Sequence, residues 1–284
     1  MSLTSLDGIR RSKASLEAFI GSRTAADFGP SSTHETRPFD PRISIVIPTL
    51  NEASNLPFVF STIASLDAEV IVVDGRSSDD TVRVAKALRE GVVVVHEIRR
   101  GKGAALQAGF AAATGDIIVM LDSDGSADGR EIPAFVEALR RGADFAKGSR
   151  FISGGGSADI TLIRQTGNSF LSKLVSTTFG AQFTDLCYGY NAFWRDCLPY
   201  LNVDCDGFEV ETLLNIRAVR SGLRIAEVPS YESNRIHGVS NLNALRDGLR
   251  VLRTIILEVW KQRDLGAVKQ PARAAAPERS ALSA

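Results

Sequence analysis

The 284-residue sequence has little cysteine, no net charge and no long apolar run, and each shortage excludes something. Its three cysteines, Cys187, Cys197 and Cys205, are odd in number and lack the paired close spacing of a zinc site, so they are expected to be buried free thiols in a reducing, cytoplasmic setting. Lys plus Arg and Asp plus Glu both number 33, which removes the global basic field of a nucleic-acid-binding protein and makes any anion site local. No stretch reaches the roughly 18 apolar residues needed to cross a bilayer, and the N-terminal residues show no compact apolar core of a signal peptide. A Walker loop and a GxGxxG fingerprint are missing as well, which argues against a P-loop ATPase and a Rossmann dehydrogenase.

What is present is 44% hydrophobic residues, enough for a substantial α/β core. Residues 1–40 read as a flexible arm with at most one short helix, over 12–20, and 264–284 as a disordered, Ala-, Pro- and Arg-rich tail. Between them strands over 42–48, 69–74, 92–97 and 116–121 alternate with helices over 53–66, 79–89 and 102–113. That alternation predicts a mostly parallel central sheet flanked by helices, with ligands at the carboxyl ends of the strands. Further on, helices are expected over 132–141, 164–179 and 208–221, strands over 143–149 and 189–194, and a Gly-rich loop over 152–159.

The last predicted helix, 241–263, repeats Leu242, Leu245, Leu249, Leu252, Ile256 and Val259 at three and four residues. Arg246, Arg250, Arg253, Lys261 and Arg263 lie on its polar side with Asp247 and Glu258. Its expected role is to close over the sheet with the polar face in water; docking on an anionic membrane or a lipid acceptor is the alternative.

The chemistry is concentrated in "IIVMLDSDG", residues 117–125. A strand buried on both faces has no use for Asp122 and Asp124 unless its end opens onto something charged, a metal ion, a polar turn, or both. Side chains at i and i+2 share one side of an extended backbone, so one hard cation, Mg2+ or Mn2+, could be held there while diphosphate oxygens complete its shell. Asp74 ends another strand and could accept hydrogen bonds from a base or ribose. Gly101 and Gly103 flank Lys102 at a helix start, where backbone N–H groups favour an anion.

Taken together, "ISIVIPTLNEASNL", "VIVVDGRSSDDT", "RGKGAALQAG", "TGDIIVMLDSDGS", "KGSR" and "TDLCYGYNAFWR" resemble, in order and spacing, the inverting glycosyltransferases of family 2 with the GT-A nucleotide-diphospho-sugar transferase fold. Among these the dolichyl- and polyprenyl-phosphate hexosyltransferases are most similar. The resemblance implies one catalytic domain over 41–263, its nucleotide-sugar half about 41–125 and its acceptor half about 126–263. Pro48, Thr49, Asn51 and Glu52 would then border the nucleotide, with Asp74 on base or ribose and Lys102 beside it. Asp122 and Asp124 would hold the metal on the donor diphosphate, with Ser123 between them. Arg150, Arg164 and Asn168 would neutralise an acceptor phosphate, and Asp185 would face the reacting sugar. Glu209, Glu211, Arg235 and His237 resemble further active-site segments, Glu211 and His237 on the acceptor side.

The implied reaction moves a hexose from GDP-mannose or UDP-glucose to a polyprenyl or dolichyl phosphate, at the inner membrane face and with peripheral contact through the 242–263 helix. Arg150, Arg164 and Asp185 are the expected catalytic residues, Asp185 serving as base if the acceptor is a hydroxyl. A soluble acceptor, such as a phosphorylated metabolite or a natural-product hydroxyl, is the first alternative, and a non-catalytic nucleotide-binding regulator the second. A homodimer is left open. The family pattern is departed from where Gly75 follows Asp74, where Ser126 follows the metal motif, and where "YGY" replaces "SGF".

Overall fold

The computed structural model describes residues 37–238 and 244–268. The arm's first 36 residues, with the expected helix over 12–20, and the tail from 269 lie outside the described residues.

Aliphatic runs make the centre of the sheet. β1 (Ile43–Thr49), β2 (Ala68–Asp74) and β4 (Ile117–Met120) pair in parallel, with β3 (Val93–His96) outside β2. β-Branched residues fit a pleat that is covered on both faces. α1 (Leu56–Ile63), α2 (Thr81–Leu88) and α3 (Lys102–Ala112) make the crossovers, and α4 (Ile132–Arg140) leads into β5 (Phe145–Ser149).

The chain then leaves the sheet. After β6 (Gly156–Ser157) come α5 (Leu162–Phe179) and β7 (Asn191–Trp194), then α6 (Leu198–Leu201), α7 (Val210–Arg220), β8 (Ile225–Pro229), β9 (Tyr231–Glu232) and α8 (Ala244–Val268). The sheet order is β3-β2-β1-β4-β7-β5-β8, in which only β7 runs antiparallel to its neighbours. β6 and β9 form a separate parallel pair.

This topology positions the site. β1, β2, β3, β4, β5 and β8 all end on one edge of the sheet, and β7 begins there, because it runs the other way. Seven loops therefore gather at that edge, including those carrying Lys102, Asp122, Arg150, Tyr188 and Arg235. The sequence anticipated β1 to β5 and β7. It missed β6, β8 and β9, because two-residue strands carry no alternation and β8 is only half-buried over most of its length.

Two further expectations are corrected. α8 runs to Val268, into the expected tail, and its most buried residues are not those of the leucine stripe, of which Leu252 is partly buried against the core. Leu249 and Ile256 are 59% and 48% exposed, whereas Asp247, Val251, Ile255 and Glu258 are buried. Glu258 sets this phase by accepting bonds from Arg217 and Arg220 of α7, while Val251 and Ile255 join Leu171, Val175, Leu186 and Ile216 in a small core of their own. Leu242 and the side chain of Leu245 lie outside the described residues. Of the cysteines, all free, Cys197 is buried and the other two are half-buried.

Candidate active site

A cavity of about 940 Å³ opens at the carboxyl edge of the sheet. Pro48, Thr49 and Glu52 reach it from the loop after β1, Lys102 from the start of α3, and Asp122, Ser123 and Asp124 from the turn after β4. Arg150, Arg164 and Glu211 line it from the other side. A smaller hollow of about 310 Å³ adjoins it, lined in part by Asn51, Glu52, Arg235 and His237. Asp74, Asn168, Asp185 and Glu209 line neither.

The acidic turn is held by cations. Lys102 Nζ lies 2.6 Å from Asp122 Oδ1 and 2.7 Å from Glu211 Oε1. Burial would push the lysine pKa down; the two carboxylates outweigh it and hold the ammonium protonated. Glu211 is shifted upward by its burial and by Asp122, with Lys102 opposing. Asp124 Oδ2 is 3.1 Å from Arg235, whose other nitrogen donates to Glu52 at 3.0 Å. Asp124 Oδ1 accepts from the backbone N and the hydroxyl of Ser126, so Ser126 braces the turn. Ser123 donates to Pro48 O at 2.8 Å and ties the turn to β1.

Two glycines make the close packing feasible. Gly101 caps α3 at φ 117° and lies so near the backbone of Asp206 that a Cβ would fall 2.0 Å from its carbonyl oxygen. One of the free N–H groups of the helix, that of Ala104, donates to that carbonyl, so the 205–206 segment occupies part of the terminus that the sequence offered to an anion. At Gly189 a Cβ would come within 2.6 Å of Lys102 Nζ and 2.8 Å of Glu211 Oε1. A larger residue there would push the ends of those two side chains aside.

The acceptor-side expectations are arranged differently. Arg150 grips Asp185 with Nε at 2.7 Å and Nη2 at 3.0 Å, and donates to Glu232 at 2.9 Å. Its guanidinium also lies 4.8 Å from the centre of the Tyr188 ring. Asp185 is fully buried, and with its oxygens taken by this fork it is not poised as a base. Asn168 accepts from the backbone N of Leu186 and of Cys187, which fixes that loop from beneath. Glu209 accepts from Gly207 N. Arg164 does face the cavity, paired with Asp159 at 2.7 Å. Asn51, at φ 58°, braces the loop after β2 by accepting from Ser78 N, and Asp74 accepts from Ser77 N in the same loop. His237 bonds to Asn55 through its backbone alone among the contacts described. Cys187 reaches the cavity, but burial, aided by Glu211 and Asp185, pushes its thiol up to about 12, so it is no thiolate at neutral pH.

Sequence reasoning missed Glu232, Tyr188 and Arg76 at the cavity. Glu232 is delivered by a two-residue strand with no periodic or motif signal, and Arg76 sits at φ 70° in a polar loop, inside the motif that singled out its neighbour Asp74.

The model of glycosyl transferase family 2 matches residues 44–199. The chain belongs to this family. Polyprenol monophosphomannose synthase of Mycolicibacterium smegmatis is 32% identical over 71% of the chain and 81% of its own length. Undecaprenyl-phosphate mannosyltransferase of Micrococcus luteus is 31% identical over 71% and 88%. Among solved structures, glucosyl-3-phosphoglycerate synthase of Mycobacterium tuberculosis, in complex with Mn2+, UDP and phosphoglyceric acid, superposes with a TM-score of 0.62 at 28% identity, over 77% of this chain and 78% of that one. The family 2 chain described here is therefore a glycosyltransferase with the GT-A fold, as its motifs suggested.

A family 2 transferase is expected to use a divalent metal. Among the described residues no three His, Cys, Asp or Glu side chains are grouped so as to hold a metal ion; Asp122 and Asp124 are the residues that would hold one. Both supply oxygen only, and Asp122 is still one-third exposed toward the cavity. That donor set fits a hard cation whose other positions are filled by diphosphate.

Proposed function

We propose that this glycosyltransferase moves a hexose from a nucleoside diphosphate sugar to a lipid monophosphate of the polyprenyl class, at the cytoplasmic face of a membrane. The carrying observation is the pairing of Asp122 and Asp124 with Lys102 and Arg235 on one wall of a single cavity, opposite Arg164. The likeness to two enzymes named for polyprenol and undecaprenyl phosphates supports the lipid acceptor. So do Leu162 and Ile163, 79% and 76% exposed immediately before Arg164.

In this reading the base lies against Pro48, Thr49 and Gly75, with Asp74 behind that loop, and the diphosphate faces Lys102 and Arg235. A metal held by Asp122 and Asp124 would neutralise charge on the departing diphosphate. Lys102 and Arg235 are fixed before the reaction by Glu211 and Glu52, so little reorganisation is needed as negative charge builds. An acceptor phosphate oxygen, oriented by Arg164, forms the new bond to C1 on the face opposite the leaving group. The C1–O bond to the diphosphate breaks with its electron pair, and the anomeric centre inverts. A phosphate nucleophile needs no base. For a hydroxyl acceptor the base would be one of the carboxylates that line the cavity, Asp159, Glu211 and Glu232 among them, rather than Asp185, which does not line it.

The test is transfer of radiolabelled sugar from UDP-glucose and GDP-mannose, with Mn2+ or Mg2+, to undecaprenyl phosphate in detergent and to 3-phosphoglycerate. Product on the lipid with one donor, absent with chelator, is expected. Product on phosphoglycerate alone would move the acceptor to the soluble class, and turnover of neither donor would contradict the reading.

A further inference from the structure

The tyrosine at the head of "YGY" is tied to residues that the sequence did not mark. Tyr188 lines the cavity yet is 4% exposed, because its ring lies against β5 and Arg150. A Cβ on Gly148 would meet that ring at 3.1 Å, and the Arg150 guanidinium is 4.8 Å from its centre. Its hydroxyl is 3.0 Å from Oγ of Ser230, which is itself 2.5 Å from Oε2 of Glu131, in the turn before α4. Oε1 of the same carboxyl accepts from Tyr231 N at 3.1 Å. Glu131 itself lines neither hollow.

Counting protons gives this relay two states. Burial raises the Tyr188 phenol well above its usual value, so it keeps its proton. With Glu131 ionised, two hydroxyl protons meet two hydrogen bonds: Tyr188 donates to Ser230, and Ser230 donates to the carboxylate. With Glu131 protonated there are three protons for the same two bonds. Oε1 is already an acceptor, so the acid proton falls on Oε2, the relay reverses, and the Tyr188 proton is left without a place in it. Burial pushes Glu131 up to about 7 over the opposing bonds from Ser230 and Tyr231 N, with Asp128 adding to the rise and Arg130 opposing it. Tyr190, in the same loop as Tyr188, also faces Glu131, while Glu232 and Arg150 face Tyr188. The relay therefore changes state near neutral pH.

We propose that Glu131 is a positioning residue for the cavity wall around Arg150: as a carboxylate it orders the Ser230 and Tyr188 hydroxyls into one relay and so fixes the ring against which Arg150 rests. Its effect on the acceptor rests on the transferase reading, but the relay is measured without any substrate. The full-length protein is labelled with carbon-13 at tyrosine Cζ, which gives four resonances, one of them absent in Tyr188→Phe. Expected is a Tyr188 resonance that shifts with a midpoint at about pH 7 and that stays still in Glu131→Gln and in Ser230→Ala. In the transfer assay the acceptor KM of the wild type rises about fivefold, the worth of one hydrogen bond, as pH falls through that midpoint. Glu131→Gln holds the low-pH KM throughout, while its calorimetric affinity for the nucleotide sugar stays at the wild-type value.

A Tyr188 resonance that does not move through neutral pH, or that titrates alike in Glu131→Gln, overturns the relay and leaves the transferase reading intact. The expected titration together with an acceptor KM that ignores both pH and Glu131→Gln overturns the positioning role. The expected titration in a protein that turns over neither donor supports the relay and counts against the transferase reading.

Discussion

Lys102 and Arg150 each stand between two carboxylates on the same cavity, Lys102 between Asp122 and Glu211, Arg150 between Asp185 and Glu232. Their surroundings differ in one respect. Asp122 keeps 32% of its side chain exposed, whereas Arg150 and Asp185 retain 4% and 0%. An ammonium makes point-charge contacts that can be exchanged for a metal or a phosphate; a guanidinium forked onto a dry carboxylate cannot let go cheaply. The difference sets the proposed donor cluster around Asp122 apart from the Arg150–Asp185 fork, which is built to hold its loops in place, although both carry residues that the sequence marks as functional.

The comparison breaks most visibly at Asp185. Replacing it with alanine leaves Arg150 buried without its main partner and should cost about 3–5 kcal/mol of stability, read by urea denaturation. A variant as stable as wild type would return Asp185 to a direct role in the chemistry. On the other wall, Asp122→Ala or Asp124→Ala should lower kcat/KM by about 10²–10³ while leaving the denaturation midpoint nearly unchanged. A large loss of stability there would make the two walls alike.

A pH effect of somewhat smaller size belongs to the structural side. Burial raises the Glu131 carboxyl to about 7, against bonds from Ser230 and Tyr231 N. Because the folded value lies above the unfolded one, the stability it contributes is fully present below about pH 4.5 and is lost as pH rises through about 7. The change approaches about 3 kcal/mol, and Glu131→Gln should flatten that part of the stability–pH curve. The smallest effect is expected at Arg164, whose pair with Asp159 is partly exposed. Arg164→Gln should change stability by less than about 0.5 kcal/mol yet raise the acceptor KM about tenfold. An unchanged KM would remove Arg164 from the acceptor site.

The donor half was the more legible in sequence. Continuous aliphatic runs ending in Thr49, Asp74 and Asp122 specify both the strands and the edge where they end, so Thr49, Glu52, Asp122 and Asp124 share the cavity, with Asp74 outside it in the neighbouring loop. The acceptor half depends on pairings distant in sequence. Arg150 and Asp185 could be named from motifs, but their mutual contact, across 35 residues, has no sequence signal and changes what they do. Likewise α8 followed the 3.6-residue period in its leucines, yet its orientation was set by Glu258 meeting Arg217 and Arg220. An amphipathic stripe fixes which residues share a face; the buried ion pairs of the neighbouring helix decided which face turned inward.

The central claim, that Asp122 and its neighbours form an exchangeable donor site, is tested most directly by calorimetric titration of UDP-glucose and GDP-mannose into wild type and Asp122→Ala, each with Mn2+ and with chelator. Binding of one donor by wild type, dependent on metal and absent in the variant, is the predicted result. Metal-independent binding that is equal in both proteins would contradict it, and would leave Asp122 as no more than a partner for Lys102.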